Sequence, residues 1–326
     1  MKAVVYSEYG GPEVLRLTDV ETPAQGPNEV LVKVRAAALN PVDWHFVRGV
    51  PFPIRMATGG FRRPKTHRRV GGDFSGTIAA VGSSVTGLTV GQPVFGYGEG
   101  SLAEYLVVPA DKVASKPGRI TFEQAAGVPL AGLTALQMLR DKALVESGHH
   151  VLIVGAAGGI GTFAVQLAKA FGADVTGVQS TAALDLVRSL GANRVIDYTK
   201  EDFATGDTRY DVIIDNVCNR TLADVLRVLK PGGTFVPNGG GSPDKGISMR
   251  GLARLLASRP FISQKITFFV TKPNRADLQV LADLIQAATV TPVIDRCYPL
   301  AAAAEAFRHL ESGHAHGKIV VTIAGA

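Results

Sequence analysis

Cysteine is nearly absent from this 326-residue chain, whose only two are Cys218 and Cys297. Two thiols cannot build a disulfide framework or a multi-cysteine zinc site, so a reducing compartment is the default expectation. Long apolar runs are missing as well. No stretch reaches the 18 residues that a membrane-spanning helix needs, and the opening Met1-Lys2-Ala3-Val4-Val5-Tyr6-Ser7-Glu8 carries no extended apolar segment before a small-residue cleavage site. The expectation is a cytoplasmic protein with no membrane partner. Charge is sparse, at 19% against the roughly 25% usual for soluble domains, while 46% of residues are apolar, which excludes disorder of the low-hydrophobicity, high-charge kind. Two catalytic signatures are also lacking. No Gly-x-Ser-x-Gly elbow follows a strand, since Gly71-Gly72-Asp73-Phe74-Ser75-Gly76 has the wrong order, and no Gly-Lys-Ser/Thr occurs, so serine hydrolysis and phosphoryl transfer are set aside. His45, His67, His149, His150, His309, His314 and His316 have no cysteine nearby, and no metal site is expected.

What charge there is sits unevenly. The net charge is +6, and Arg55, Arg62, Arg63, Lys65, Arg68 and Arg69 supply all of it with no acid between them, so the rest of the chain sums to zero. One short segment without a helical period is a poor nucleic-acid surface, and no nucleic-acid partner is expected.

The length gives a prior of about two domains. Residues 1 to about 122 read as β-rich, with Lys2 to Tyr6, Val30 to Ala37, Gly76 to Val81 and Ala103 to Val108 as short apolar or alternating runs between Gly and Pro turns, and with no long helical pattern among them. From 123 strand and helix alternate: Val151 to Val154, a helix from Gly159 to Phe171, Val175 to Val178, a helix to Leu190, then Val195 to Ile196, Val212 to Ile214, a helix from Leu222 to Leu229, and Thr234 to Val236. Such alternation predicts an α/β fold with a doubly wound parallel sheet. Ile266 to Val270 is expected to be its last strand, followed by a helix over 275 to 288 and a strand-helix-strand tail.

The strongest local signal is the strand Val151 to Val154 running into Gly155-Ala156-Ala157-Gly158-Gly159-Ile160-Gly161 and a helix. Gly is 37 of 326 residues, so a glycine-rich turn alone proves little. The order strand, turn, helix is what dinucleotide binding needs: a tight turn first, then backbone N–H groups close to a pyrophosphate, then close packing of helix on strand. At the end of the second strand, where NAD-binding versions carry an acid, this chain has Gln179-Ser180-Thr181. With no carboxylate there to repel a 2′-phosphate, and with hydroxyls on Ser180, Thr181 and Tyr198, NADPH is expected as cofactor, NADH being possible. Ser180 and Thr181 also suit a helix cap.

Several ordered motifs together resemble the zinc-independent branch of the medium-chain dehydrogenase/reductase family, the quinone oxidoreductase and enone reductase group. They are Met1 to Tyr6 with Gly11-Pro12-Glu13-Val14-Leu15, Asn40-Pro41-Val42-Asp43, Gly72 to Gly76 through Val81-Gly82, Gly132-Leu133-Thr134-Ala135, the glycine turn, Leu190-Gly191-Ala192, Pro231-Gly232-Gly233, and Gly317-Lys318-Ile319-Val320-Val321. The resemblance implies a GroES-like substrate domain from 1-122 and 272-326, a Rossmann domain over 123-271, an active cleft where they meet, and a homodimer, for which Ile266 to Val270 is a candidate edge strand. It places Asn40 where zinc-dependent relatives have a cysteine ligand and Gly72 where they have a histidine. Asn40 and Asp43 would lie by the nicotinamide, Thr134 beside it, and Asn216, Val217, Asn238, Gly239 and Gly240 around its pocket, while Ser180 and Tyr198 match positions that bind a 2′-phosphate. Two departures stand out. Ala182 and Ala183 replace a basic residue that often follows the Ser-Thr pair, and His45 stands where many quinone reductases have Tyr.

The reaction implied is hydride transfer from the nicotinamide to a quinone or an activated C=C of an enone or enal, with Asn40 orienting the carbonyl and His45 or water giving the proton. His45 as a mere wall of the pocket is an equal alternative. The basic segment 55 to 69 would be a cleft-rim loop attracting phosphates, a solvated loop or a subunit contact. A reading from another class is a non-catalytic NADP(H)-binding redox sensor or structural protein.

Overall fold

A computed structural model describes residues 1–64, 68–239 and 262–323. The chain divides into two compact units, Met1–Leu133 with Lys272–Ala326, and Thr134–Thr271. The first crossing lies beyond 122/123 because the segment after it is held by the β-rich unit: Ser75 Oγ donates to the Phe122 carbonyl, and the Leu130 amide donates to Asp73 Oδ1 at 2.9 Å.

The strands, in chain order, are β1 (Lys2–Tyr6), β2 (Arg16–Asp19), β3 (Glu29–Ala38), β4 (Arg68–Arg69), β5 (Asp73–Val81), β6 (Pro93–Tyr97), β7 (Tyr105–Pro109), β8 (Val113–Ser115), β9 (His150–Val154), β10 (Asp174–Gln179), β11 (Arg194–Asp197), β12 (Tyr210–Asp215), β13 (Leu229–Pro237), β14 (Lys265–Ile266), β15 (Ile294–Pro299) and β16 (Lys318–Thr322). In the first unit β1 lies between β2 and β4, and a larger sheet runs β15-β16-β3-β5-β6-β8, with β7 also on β3. β3 shows why: Val30, Val32 and Val34 alternate inward onto Phe74, Ile78, Leu106 and Val108, the period of two that a half-buried strand demands. The returning tail adds the helix Arg275–Gln286, whose Leu278, Leu281, Ala282 and Ile285 form one buried stripe.

Besides the short helix Ile54–Thr58, the β-rich reading passed over the helix Pro41–Arg48. Its signals are local: Pro at the first turn, Asp43 accepting the Asn40 amide at 2.7 Å, and Gly49 at φ 63° closing it in the left-handed region.

The second unit is a six-stranded parallel sheet of order β11-β10-β9-β12-β13-β14. β9 is central, and Val151 to Val154 are buried, as a strand covered on both faces requires. The order reverses between β9 and β12, so the carboxyl ends of these neighbours open onto the switch point where ligands of such sheets bind. Ile266 to Val270 does not form the expected strand. Only Lys265–Ile266 pairs with Thr234 and Phe235, because the neighbouring strand ends at Pro237, which has no amide hydrogen to offer, and the chain leaves the ladder with Val270 85% exposed.

Candidate active site

The β-rich unit buries a polar cluster where three strands converge. The register Ala38↔Asp73 and Val320↔Ala38 brings the end of β3 to the starts of β5 and β16. Lys318, only 3% exposed, donates its ammonium hydrogens to Leu39 O at 2.9 Å and to Asn40 Oδ1, and lies 3.4 Å from Asp73 Oδ2. Asn40 Nδ2 donates to Asp73 Oδ2 at 2.9 Å. An ammonium can only donate and a carboxylate only accept, so this network settles which way the Asn40 amide points. Asp73 and Lys318 were not singled out as site residues by the sequence. The one available signal was a lysine heading the apolar run Ile319-Val320-Val321.

Burial raises the Asp73 carboxyl above its ordinary range, against the pull of Lys318, Asn40 and Leu130. Asp43 is pushed up to about 7, first by burial and then by the Asp73 charge, with the Asn40 amide and Lys318 opposing. Burial likewise raises the Tyr97 hydroxyl, helped by Asp43, Asp73 and Glu99. A small cavity is lined by Asp43, Phe46, Arg68, Gly71 and Tyr97 among others. His45 sits in the same short helix, with its ring 3.6 Å from that of Trp44 between centroids, and its Nδ1 lies 2.6 Å from the Val50 carbonyl. A carbonyl only accepts, so the Nδ1 hydrogen is committed to it.

A zinc ion does not fit these residues. Position 40 is an amide already bonded to Lys318 and Asp73, a Cβ at Gly72 would lie 2.4 Å from the Tyr97 ring, and a buried ammonium fills the polar space. Among the described residues no group of three or more His, Cys, Asp or Glu is placed to hold a metal.

In the other unit the glycine turn leaves β9 and enters the helix Gly159–Ala170. Gly155 has φ 73° and donates to Val178 O, as does Ala156. A Cβ on Gly161 would lie 2.1 Å from Gly155 O and 2.7 Å from the Ala156 carbonyl carbon, so only glycine allows the helix to start against the turn. Ala157, Gly158, Gly159 and Ile160 complete the loop, and the first amides of such a helix have no partners within it. This cradle fits a pyrophosphate. Beside it, Asn216 Nδ2 donates to Val154 O at 3.0 Å and Asn238 Nδ2 to Asn216 Oδ1 at 2.9 Å, tying the ends of β9, β12 and β13 together. Val217 is 47% exposed and a Cβ on Gly155 would lie 3.1 Å from it, while the Gly239 amide meets Cys218 Sγ at 3.3 Å. Thr134 Oγ1 lies 2.7 Å from Thr271 Oγ1 at the two ends of the unit. Gly240 lies outside the described residues.

At the far end the expectation of no nearby carboxylate needs correction. β10 and β11 pair with Gln179 opposite Asp197, and Thr181 Oγ1 donates to Asp197 Oδ2 at 2.6 Å. The third strand thus supplies the acid that the second lacks. Ser180 and Tyr198 flank it, Tyr198 bonding Gln179 O through its amide. The basic segment is also less uniform than its sequence: Arg55 donates to Gly49 O and Phe61 O, Arg68 and Arg69 form β4, Arg62 and Arg63 are exposed, and Lys65 lies outside the described residues.

Comparison with known proteins matches a family model described as alcohol dehydrogenase GroES-like domain over residues 26–118 and one described as zinc-binding dehydrogenase over 190–321. The chain is 36% identical to a chloroplastic NADPH-dependent alkenal/one oxidoreductase of Arabidopsis thaliana, over 98% of this chain and 79% of that protein. It superposes on the quinone oxidoreductase of Coxiella burnetii with a TM-score of 0.87 at 31% identity, covering 99% of each chain. For the Escherichia coli quinone oxidoreductase complexed with NADPH the TM-score is 0.84 at 27% identity, covering 99% of this chain and 100% of that one. No helix among the described residues is long and apolar enough to cross a membrane.

Proposed function

The chain belongs to the medium-chain dehydrogenase/reductase family, in its quinone oxidoreductase and enone reductase branch, and on that footing we propose that it is an NADPH-dependent reductase of quinones or α,β-unsaturated carbonyl compounds. The observation that carries this reading is the glycine turn at the carboxyl end of the central strand, packed so closely that a side chain at Gly161 has no room. The bound dinucleotide supplies a hydride from its nicotinamide, NADPH being preferred and NADH a second donor.

The chain's own residues do the rest. The Gly155–Gly161 turn and the helix after it bind the pyrophosphate, Ser180 and Tyr198 serve the 2′ end, and Thr134, Asn216, Val217, Asn238 and Gly239 line the nicotinamide pocket. Asn40 directs an amide hydrogen at the substrate carbonyl as negative charge builds there, and Asp73 and Lys318 hold that amide in orientation. Asp43, with its carboxyl near 7, holds or releases the proton that the reduced product needs. His45 shapes the pocket through its bond to Val50. A homodimer belongs to the reading, and light scattering that returns a monomer removes that part.

The test is oxidation of NADPH and of NADH against a panel of quinones, alkenals and cyclic enones. Turnover with one substrate class supports the reductase. Nucleotide binding without oxidation of either by any member leaves a non-catalytic binder, and absence of binding removes both readings.

A further inference from the structure

We propose that Asp197 is the residue that limits this protein's preference for the 2′-phosphorylated dinucleotide. The inference rests on the dinucleotide-binding reading above and names what sets its selectivity. It starts from hydrogen counting at the turn after β10. The Asp197 side chain is 8% exposed and accepts three hydrogens: Thr181 Oγ1 at 2.6 Å on Oδ2, and the Thr199 amide at 3.0 Å and Thr199 Oγ1 at 2.7 Å on Oδ1. Each threonine hydroxyl owns one hydrogen, and both are spent on this carboxylate. The two hydroxyl oxygens lie 3.1 Å apart. An incoming phosphate therefore meets lone pairs at Thr181, with a carboxylate directly behind them, and Thr181 cannot donate to it without giving up Asp197.

These bonds hold the Asp197 carboxyl down to about 2, so it is ionised at any working pH. The Lys200 ammonium, 3.5 Å from Oδ2 and 70% exposed, offsets part of the charge through solvent. No cation follows the turn in sequence, where Ala182 and Ala183 stand. The side-chain hydroxyls left for a 2′-phosphate are that of Ser180, which makes no capping hydrogen bond at this turn, and that of the exposed Tyr198. A 2′-hydroxyl carries no charge and can donate as well as accept, so the same carboxylate does not disfavour NADH.

Asp197→Asn tests this with almost no change of shape. The asparagine Oδ1 still accepts from Thr199, while Nδ2 now donates to Thr181 Oγ1 and frees the Thr181 hydrogen to turn toward the phosphate. Calorimetric titration of the full chain with NADPH and with NADH is expected to show NADPH binding tightened roughly three- to tenfold and NADH altered less than twofold, since one opposing charge is removed at a solvent-screened site. Adding Thr181→Val to Asp197→Asn should take back only the share of the gain that the freed Thr181 hydrogen contributes, leaving the share due to the lost charge. If Asp197→Asn does not fold, Asp197→Ser removes the same charge and should shift the NADPH-to-NADH ratio in the same direction. An unchanged ratio, or weaker NADPH binding, in a variant that still binds both nucleotides overturns the inference and leaves the dinucleotide reading standing. Wild-type protein that binds neither nucleotide overturns both.

Discussion

Replacing Lys318 by methionine should unfold the β-rich unit far more easily, and the structure allows the size to be worked out. The ammonium is buried and serves three acceptors, Leu39 O, Asn40 Oδ1 and Asp73 Oδ2. Methionine fills a similar volume, so little is lost in packing. What remains is two neutral oxygens without their donor and a fully buried carboxylate without its counter-charge. Breaking a buried pair from one side costs about 3–5 kcal/mol, because the partner stays desolvated. For a unit of this size roughly 2–4 °C of Tm follows each kcal/mol, so a fall of about 6–20 °C is expected. The loss should depend on pH. Burial already raises the Asp73 carboxyl, and without the ammonium it rises further, so the folded variant takes up a proton as pH falls and recovers stability. The destabilisation should therefore be larger at pH 8 than at pH 5. Adding Asp73→Asn removes the stranded charge and should return a substantial part of the loss at pH 8. Urea unfolding followed by circular dichroism at the two pH values measures all of this. A loss below about 1 kcal/mol, or one equal at both pH values, would refute the account of Lys318 as the counter-charge of Asp73.

Three further predictions follow from single contacts. Asp43, at about 7 when folded against its ordinary 3.8, contributes stability that is full below pH 4 and is lost as pH rises through 7, by up to about 1.4 kcal/mol per pH unit, and Asp43→Asn should flatten that slope and the break in kcat/KM near neutrality. Gly161→Ala should push the helix off the turn, costing roughly 1–3 kcal/mol and weakening NADPH at least tenfold; a variant unchanged in both calorimetry and thermal melting would show that the close approach is not needed. His45→Phe strips the Val50 carbonyl of its donor and should cost roughly 1–3 kcal/mol, while the pH dependence of kcat/KM between 6 and 9 persists; its disappearance would make the imidazole the proton donor instead.

The parts of the fold that were legible in the sequence are those written in consecutive residues. The strand, glycine turn and helix around Val154 and Gly155 could be read because turn geometry and helix start are local requirements. The helix Pro41–Arg48 had its cap residues in plain view, yet its eight residues were too few for a periodic pattern to announce it. Ile266 to Val270 failed for the opposite reason: an apolar run fits a strand wherever a partner offers hydrogen bonds, and the partner ends at Pro237.

Motif order alone determined the two-part α/β architecture and the place of the glycine turn, and the family resemblance that those motifs carry implied the type of chemistry, since each motif depends on neighbours in the chain. Only the tertiary structure decided which charges face one another. Lys318 and Asp73 stand 245 residues apart and meet through the register of β16, β3 and β5, and Asp197 reaches Thr181 through the pairing of β11 with β10. Electrostatic interaction depends on distance in space and on burial, and neither is set until strands pair.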